Sequence, residues 1–199
     1  MLETLKNAFR NKEIRKKIFM TVLLLIVFRL GCYIPVPGLD RTLFSDAITD
    51  NDFLNLMSGI TGSALQNGTL FALGIGPYIN ASIIIQLLTV GIPALERLSK
   101  QGEEGRKKIT NITRFVTIVL AVIQSVGIIV LFGNNEGAIR SDLFFGHTWL
   151  AGIYMTIVYT AGSCLVMWIG ERITDYGVGN GISLIIFVGI LSTAGTTIL

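Results

Sequence analysis

The sequence predicts an all-α membrane protein: five membrane-crossing helices and one short helix that enters the bilayer only part-way. Three observations carry this. The mean hydropathy is +0.66, with 51% apolar and 15% charged residues, which removes a water-soluble core from consideration. Apolar runs of near-spanning length recur along the chain, separated by Pro/Gly turns or charged stretches. The basic residues also cluster in alternate connections, as cytoplasmic loops demand.

Residues 1–17 carry Lys6, Arg10, Lys12, Arg15, Lys16 and Lys17 against Glu3 and Glu13, with Leu2, Leu5 and Phe9 at helical spacing. That pattern predicts an amphipathic cytoplasmic helix on an anionic lipid surface. The first span is expected over 18–34. Its length, Arg29 and a PVP ending without a small-x-small site argue against a cleaved signal peptide. Arg29 lies near the far end, where the favoured reading is snorkelling toward water. Residues 40–52 are acidic and loop-like.

A short helix follows over 52–66 (DFLNLMSGITGSALQ). Phe53, Leu56, Met57 and Ile60 keep helical spacing, but the run is too short to span and is interrupted by Gly59 and Gly62. It either enters the membrane part-way or lies flat at the interface.

The second span, 70–90, is the most informative. Residues 73–88 (LGIGPYINASIIIQLL) are apolar yet broken by Gly74, Gly76 and Pro77, so the regular helix should begin near Pro77. Ile75, Ile79 and Ile83 are four apart and share a face if the turn at Ile75 is helical. Asn80, Ser82 and Gln86 place hydrogen-bonding groups at membrane depth. Two readings fit: a kinked packing helix with satisfied amides, or the wall of a path through the membrane.

Residues 96–108 form a net basic loop with Lys100, Arg106, Lys107 and Lys108. The third span is 112–132, with Gln124 and Ser125 its mid-membrane polar groups. The fourth is 148–169, with Trp149, Tyr154 and Trp168 toward its ends as interface anchors. A glycine-rich turn at 170–181 contains Arg172, and the fifth span is 182–199. The N-terminal segment, the 96–108 loop with Arg114, and the 170–181 turn hold thirteen basic residues; the opposite connections hold Arg41 and Arg140. The N-terminus is therefore expected in the cytoplasm, making this a multi-pass protein of the cell membrane.

Enzymatic chemistry finds no support. Ser, His and acidic residues never gather at a catalytic spacing, and there is no phosphate-cradling glycine loop. His147 stands far from either cysteine, and Cys32 and Cys164 fall in apolar stretches. No metal, cofactor, disulfide or direct nucleic-acid partner is expected.

FALGIGPYINASIIIQLL (71–88), SKQGEEGRKK (99–108), GERITDYGVGNGISLIIFVGI (170–190) and FRLGCYIPVPGLD (28–40) closely resemble segments of the SecY family of protein-translocation channels. The resemblance covers nearly the whole chain. It implies one half of an inverted-repeat channel, the N-terminal five spans of ten, together with a residue set. Ile75, Ile79, Ile182 and Ile186 match positions of an apolar pore constriction. Phe53, Leu56, Met57, Gly59, Ile60 and Gly62 match an external plug, and Asn80, Ile83, Gln86 and Gln124 are polar or neighbouring candidates at a lateral gate. Lys100, Arg106, Lys107, Lys108 and Arg172 would lie in cytoplasmic loops that meet partners. Those implied partners are the C-terminal half of the channel, SecE- and SecG-type small subunits, and a SecA-type motor ATPase or a ribosome. Signal sequences, unfolded polypeptide and anionic lipids complete the set. Half of a secondary transporter, with a solute site at the broken helix, is the rival. It accounts for Gly74, Gly76 and Pro77 but not for apolar isoleucine pairs.

Overall fold

The computed structural model describes residues 12–133 and 147–198. Residues 1–11 of the expected amphipathic helix, 134–146 of the connection before the fourth span, and Leu199 lie outside the described residues, and of Phe53 only the backbone is described. Eight helices follow in order: α1 (Lys12–Gly31), α2 (Arg41–Thr49), α3 (Asp52–Ile60), α4 (Gly76–Gly91), α5 (Pro93–Ser99), α6 (Glu103–Gly133), α7 (Thr148–Tyr176) and α8 (Gly181–Ile198).

α7 is the centre. One face buries Ala151, Met155, Tyr159, Ser163, Val166, Gly170 and Ile173, a stripe of i+4 and i+3 steps, and receives α6, α8 and α1. The partner faces are small where backbones approach: Thr113, Thr117, Ala121 and Ser125 repeat every four residues on α6 and are all buried. The threonine hydroxyls return to their own helix, Thr117 Oγ1 donating to the Thr113 carbonyl at 2.7 Å, so no donor is stranded. The hydroxyl of Tyr159, by contrast, is buried without a partner.

Among the described residues, α6 and α7 are each long and apolar enough to cross a membrane. α4 and α5 pass the same test together, but they meet at a 106° bend. Pro93 forces this break: it begins α5 and cannot donate to a continuing α4, and Ile92 between them is extended (φ −110°, ψ 112°). α1 opens with Lys12, Glu13, Arg15, Lys16 and Lys17, which leaves a mostly apolar run over 18–31, interrupted by Arg29, that makes roughly 21 Å of helix.

Three expected loops are helical instead. Residues 40–52 contain α2, because the Asp40 side chain caps it by accepting from Thr42 N at 3.1 Å, and because Phe44 and Ile48, four apart, are both buried. Residues 96–108 are the end of α5, a three-residue corner and the start of α6. Gly102 takes the left-handed conformation (φ 72°) at the corner, Lys100 pairs with Glu96 at 2.6 Å, and any Cβ on Gly105 would strike the Leu98 carbonyl. Residues 170–181 are helical to Tyr176, so the turn is confined to 177–180. Gly170 serves close packing rather than a turn, and Asn180 Oδ1 starts α8 by accepting from Ile182 N at 3.0 Å. The 52–66 helix ends at Ile60. Residues 61–75 are turns in which Gly62, Ser63, Gly68 and Gly74 have positive φ, so the first six residues of the expected 70–90 span precede the helix.

Candidate functional site

The break before α4 is built by glycines on two elements. Gly74 is left-handed (φ 55°), Ile75 is the N-cap and Pro77 lies in the first turn of α4. Ile75 retains right-handed backbone and accepts from Ile79 N at 3.1 Å, which places Ile75 and Ile79 one turn apart on one face. The break rests against α7 at Gly162, where a Cβ would strike the Leu70 carbonyl, and the Ser163 hydroxyl donates to the Gly74 carbonyl at 3.5 Å. The Gly74 carbonyl in this irregular stretch thus finds its partner within the protein.

Four turns of sequence converge beside it. Ile75, Ile79, Ile182 and Ile186 belong to one apolar cluster with Leu24, Phe28, Val166, Ile169, Ile173 and Ile185. Gly170 is its floor: a Cβ there would lie 3.4 Å from Cδ1 of Ile75 and of Ile185, and 3.6 Å from Cγ1 of Ile182. The four differ in presentation. Ile75 is buried, 5% exposed, whereas Ile79, Ile182 and Ile186 are half-buried. Ile185 was not singled out from the sequence, yet it is the isoleucine that α8 buries most fully. Its signal was available: Gly181, Ile185 and Gly189 are four apart, and a Cβ at either glycine would strike a neighbouring carbonyl, Gly170 or Ile60.

The short-helix residues divide. Leu56 is 63% exposed, Met57 and Ile60 are half-buried, Gly59 faces open space and Gly62 is buried. The end of α3 meets the C-terminal part of α8, where Thr193 Oγ1 donates to the Gly59 carbonyl at 3.1 Å. Arg29 does not simply reach for water. Its guanidinium donates to the Gly62 carbonyl at 3.5 Å and to Ser192 Oγ, and lies 5.5 Å from the centre of the Tyr33 ring. Gly62 brings a carbonyl within reach of α1, which spacing along α1 could not show.

On α4, Asn80, Ile83 and Gln86 are exposed, Gln86 Nε2 donating to Ser82 Oγ at 3.1 Å, and Gln124 is half-buried on α6. Arg106, Lys107 and Lys108 are exposed on the first turns of α6, near Lys100 in sequence. Arg172 stands apart from them, half-buried and 5.4 Å from the ring centres of both Trp168 and Tyr176. Sequence reasoning also missed the Arg114–Glu171 pair, because those residues lie far apart in the chain.

The SecY family profile matches residues 69–198. The chain is 43% identical over 200 residues to the protein translocase subunit SecY of Staphylococcus carnosus, covering 100% of this chain and 46% of that relative. It is likewise 43% identical to the subunit of the same name from Staphylococcus aureus NCTC 8325, over 97% of this chain and 44% of the relative. The chain therefore spans about half the length of the curated relatives it matches. Among solved structures, it is similar to Sec61 in the canine ribosome–channel complex from the endoplasmic reticulum and to a structure described as a protein-conducting channel. Each match has a TM-score of 0.63 and 28% identity over 88% of this chain and 36% of the other. An all-helical chain with a glycine-broken apolar helix, matched at this level across its whole length, belongs to the SecY family.

Proposed function

We propose that this chain forms one wall of a protein-conducting path through the cell membrane, moving unfolded polypeptide across or into the bilayer. The observation that carries the reading is the meeting of two isoleucine pairs, one on the broken α4 and one on α8, in a chain of the SecY family. In this reading Ile79, Ile182 and Ile186 give an apolar constriction its surface, and Ile75 packs behind them. Such side chains exclude water and ions when the path is empty. They make no directional bond, so any passing sequence is tolerated.

The finer assignments follow the same reading. α1, α4 with its bend, α6, α7 and α8 are the five spans, the N-terminus is cytoplasmic, and α3 with the turn to Gly62 is an external plug. The exposed face of α4 with Asn80, Ile83 and Gln86, together with α6 and Gln124, is one side of a lateral gate for signal sequences. A second half of the channel, SecE- and SecG-type subunits, anionic lipid and either a SecA-type motor or a ribosome complete the machine. Lys100, Arg106, Lys107, Lys108 and Arg172 supply the basic surface for the last.

Cross-linking tests the reading. A photoreactive side chain placed at Ile79 or Ile186 in the assembled channel should capture a stalled, signal-bearing polypeptide, whereas one at Val90, 84% exposed on α4, should capture lipid. Polypeptide adducts absent from both isoleucine sites would overturn it.

A further inference from the structure

We infer that Arg29 is the positioning residue that holds the α3 segment closed against α8; this deepens the reading of α3 as an external plug and rests on it. Three elements meet at one guanidinium. Arg29 leaves the last turn of α1, donates to the carbonyl of Gly62 in the turn after α3, and donates to Ser192 Oγ on α8. No other described side chain is recorded bonding α1, this turn and α8 at once.

The backbone around it is shaped for that grip. Gly62 is left-handed (φ 67°), and a Cβ there would sit 2.5 Å from Arg29 Nη1 and 3.2 Å from the Gly189 Cα, so only glycine admits the guanidinium and α8 together. On the α8 side a Cβ at Gly189 would strike the Ile60 carbonyl. The hydroxyl of Thr193 bonds the Gly59 carbonyl at 3.1 Å. The end of α3 is thus held to α8 directly by the Thr193 bond to the Gly59 carbonyl and indirectly through Arg29 at Gly62, while Leu54 and Met57 pack against the Phe44–Ile48 cluster and Leu56 is exposed.

That chemistry suits a part that must let go. Apolar interdigitation resists separation in proportion to area, whereas hydrogen bonds to carbonyls are replaced one for one by water as the segment leaves. The guanidinium is satisfied here by the Gly62 carbonyl and Ser192 Oγ rather than by water alone, and those bonds double as the fastening. Removing the guanidinium should release α3 while the isoleucines stay packed, although Arg29 touches their cluster at Cys32.

The test uses the assembled channel, with Cys32 and Cys164 first replaced by alanine, reconstituted in planar bilayers and assayed for export of a signal-bearing reporter. Arg29→Gln should raise resting ion conductance about tenfold, equivalent to about 1.4 kcal/mol. Arg29→Lys, which keeps the charge and a donor, should recover most of the seal. A thiol–thiol cross-link between Gly59→Cys and Thr193→Cys, placed in the Arg29→Gln background, should restore low conductance. A conductance within about twofold of the parent for Arg29→Gln, or one that stays high with the cross-link formed, overturns the latch. Should Arg29→Gln fail to accumulate, Ser192→Ala carries the test with an expected rise of about threefold, and no rise overturns the latch. The cross-link in the Arg29 parent interrogates the plug itself: undiminished export there sinks the plug reading, while blocked export with an unresponsive Arg29→Gln sinks only the latch.

Discussion

Arg114 and Glu171 form a two-pronged ion pair between α6 and α7, Nε to Oε1 at 2.9 Å and Nη2 to Oε2 at 2.7 Å. The carboxylate side chain is 15% exposed and the guanidinium side chain 44%, so the pair sits where one partner is sheltered and the other wet. Planar bidentate geometry fixes the rotation of α6 against α7 more than it adds stability. In a cycle of Arg114→Ala, Glu171→Ala and the double variant, the coupling should be about 1 kcal/mol, and Arg114→Lys should recover less than half of it. Thermal unfolding of the purified channel in detergent reads this as a Tm shift of about 2–4 °C.

Base asymmetry predicts a cytoplasmic N-terminus, and labelling tests it. A cysteine at Lys100 should react with a membrane-impermeant thiol reagent only in inverted vesicles, and one at Asp50 only in right-side-out vesicles. The opposite pattern would reverse every assignment of inside and outside.

The isoleucines should seal by bulk and apolarity alone. In the assembled channel Ile79→Gly with Ile186→Gly should raise resting ion leak, while Ile79→Leu, nearly equal in volume, should leave it within about twofold of the parent. Unchanged leak in the glycine double variant would remove both residues from a constriction.

Gly162 is where α7 admits the irregular stretch before α4. Gly162→Val should drive the Leu70 carbonyl away, costing about 2 kcal/mol and lowering Tm by about 4–8 °C, whereas Gly127→Ala, with open space around its Cα, should leave Tm unchanged or raised. Equal Tm values for the two variants would contradict the packing described at Gly162.

Much of this arrangement was legible in the chain. Pro77 marked the start of α4 because proline acts on its own backbone, and that information is local. The isoleucine pairs were visible as a spacing of four, and they do gather in one cluster. What sequence reading missed was relational. It took residues 96–108 and 170–181 for loops from charge and glycine content, but charged residues extend helices beyond a membrane readily, and Gly105 and Gly170 are small because Leu98, Ile75 and Ile185 press on them. Arg29 was read as snorkelling since its acceptor, the Gly62 carbonyl, belongs to a turn 33 residues away. Ile185 was passed over for its neighbours Ile182 and Ile186, since which face of α8 turns inward depends on where Gly181 and Gly189 meet their neighbours.

The corner joining α5 to α6 has a mechanical consequence. Gly105 presses on the Leu98 carbonyl, so α5 and α6 meet backbone to backbone at the corner, whereas α4 and α5 are joined through the extended Ile92, where the 106° bend is made. Because α4 also packs along α6, a load on the exposed basic residues at the start of α6 would reach α4 through that shared face as well as through the bend.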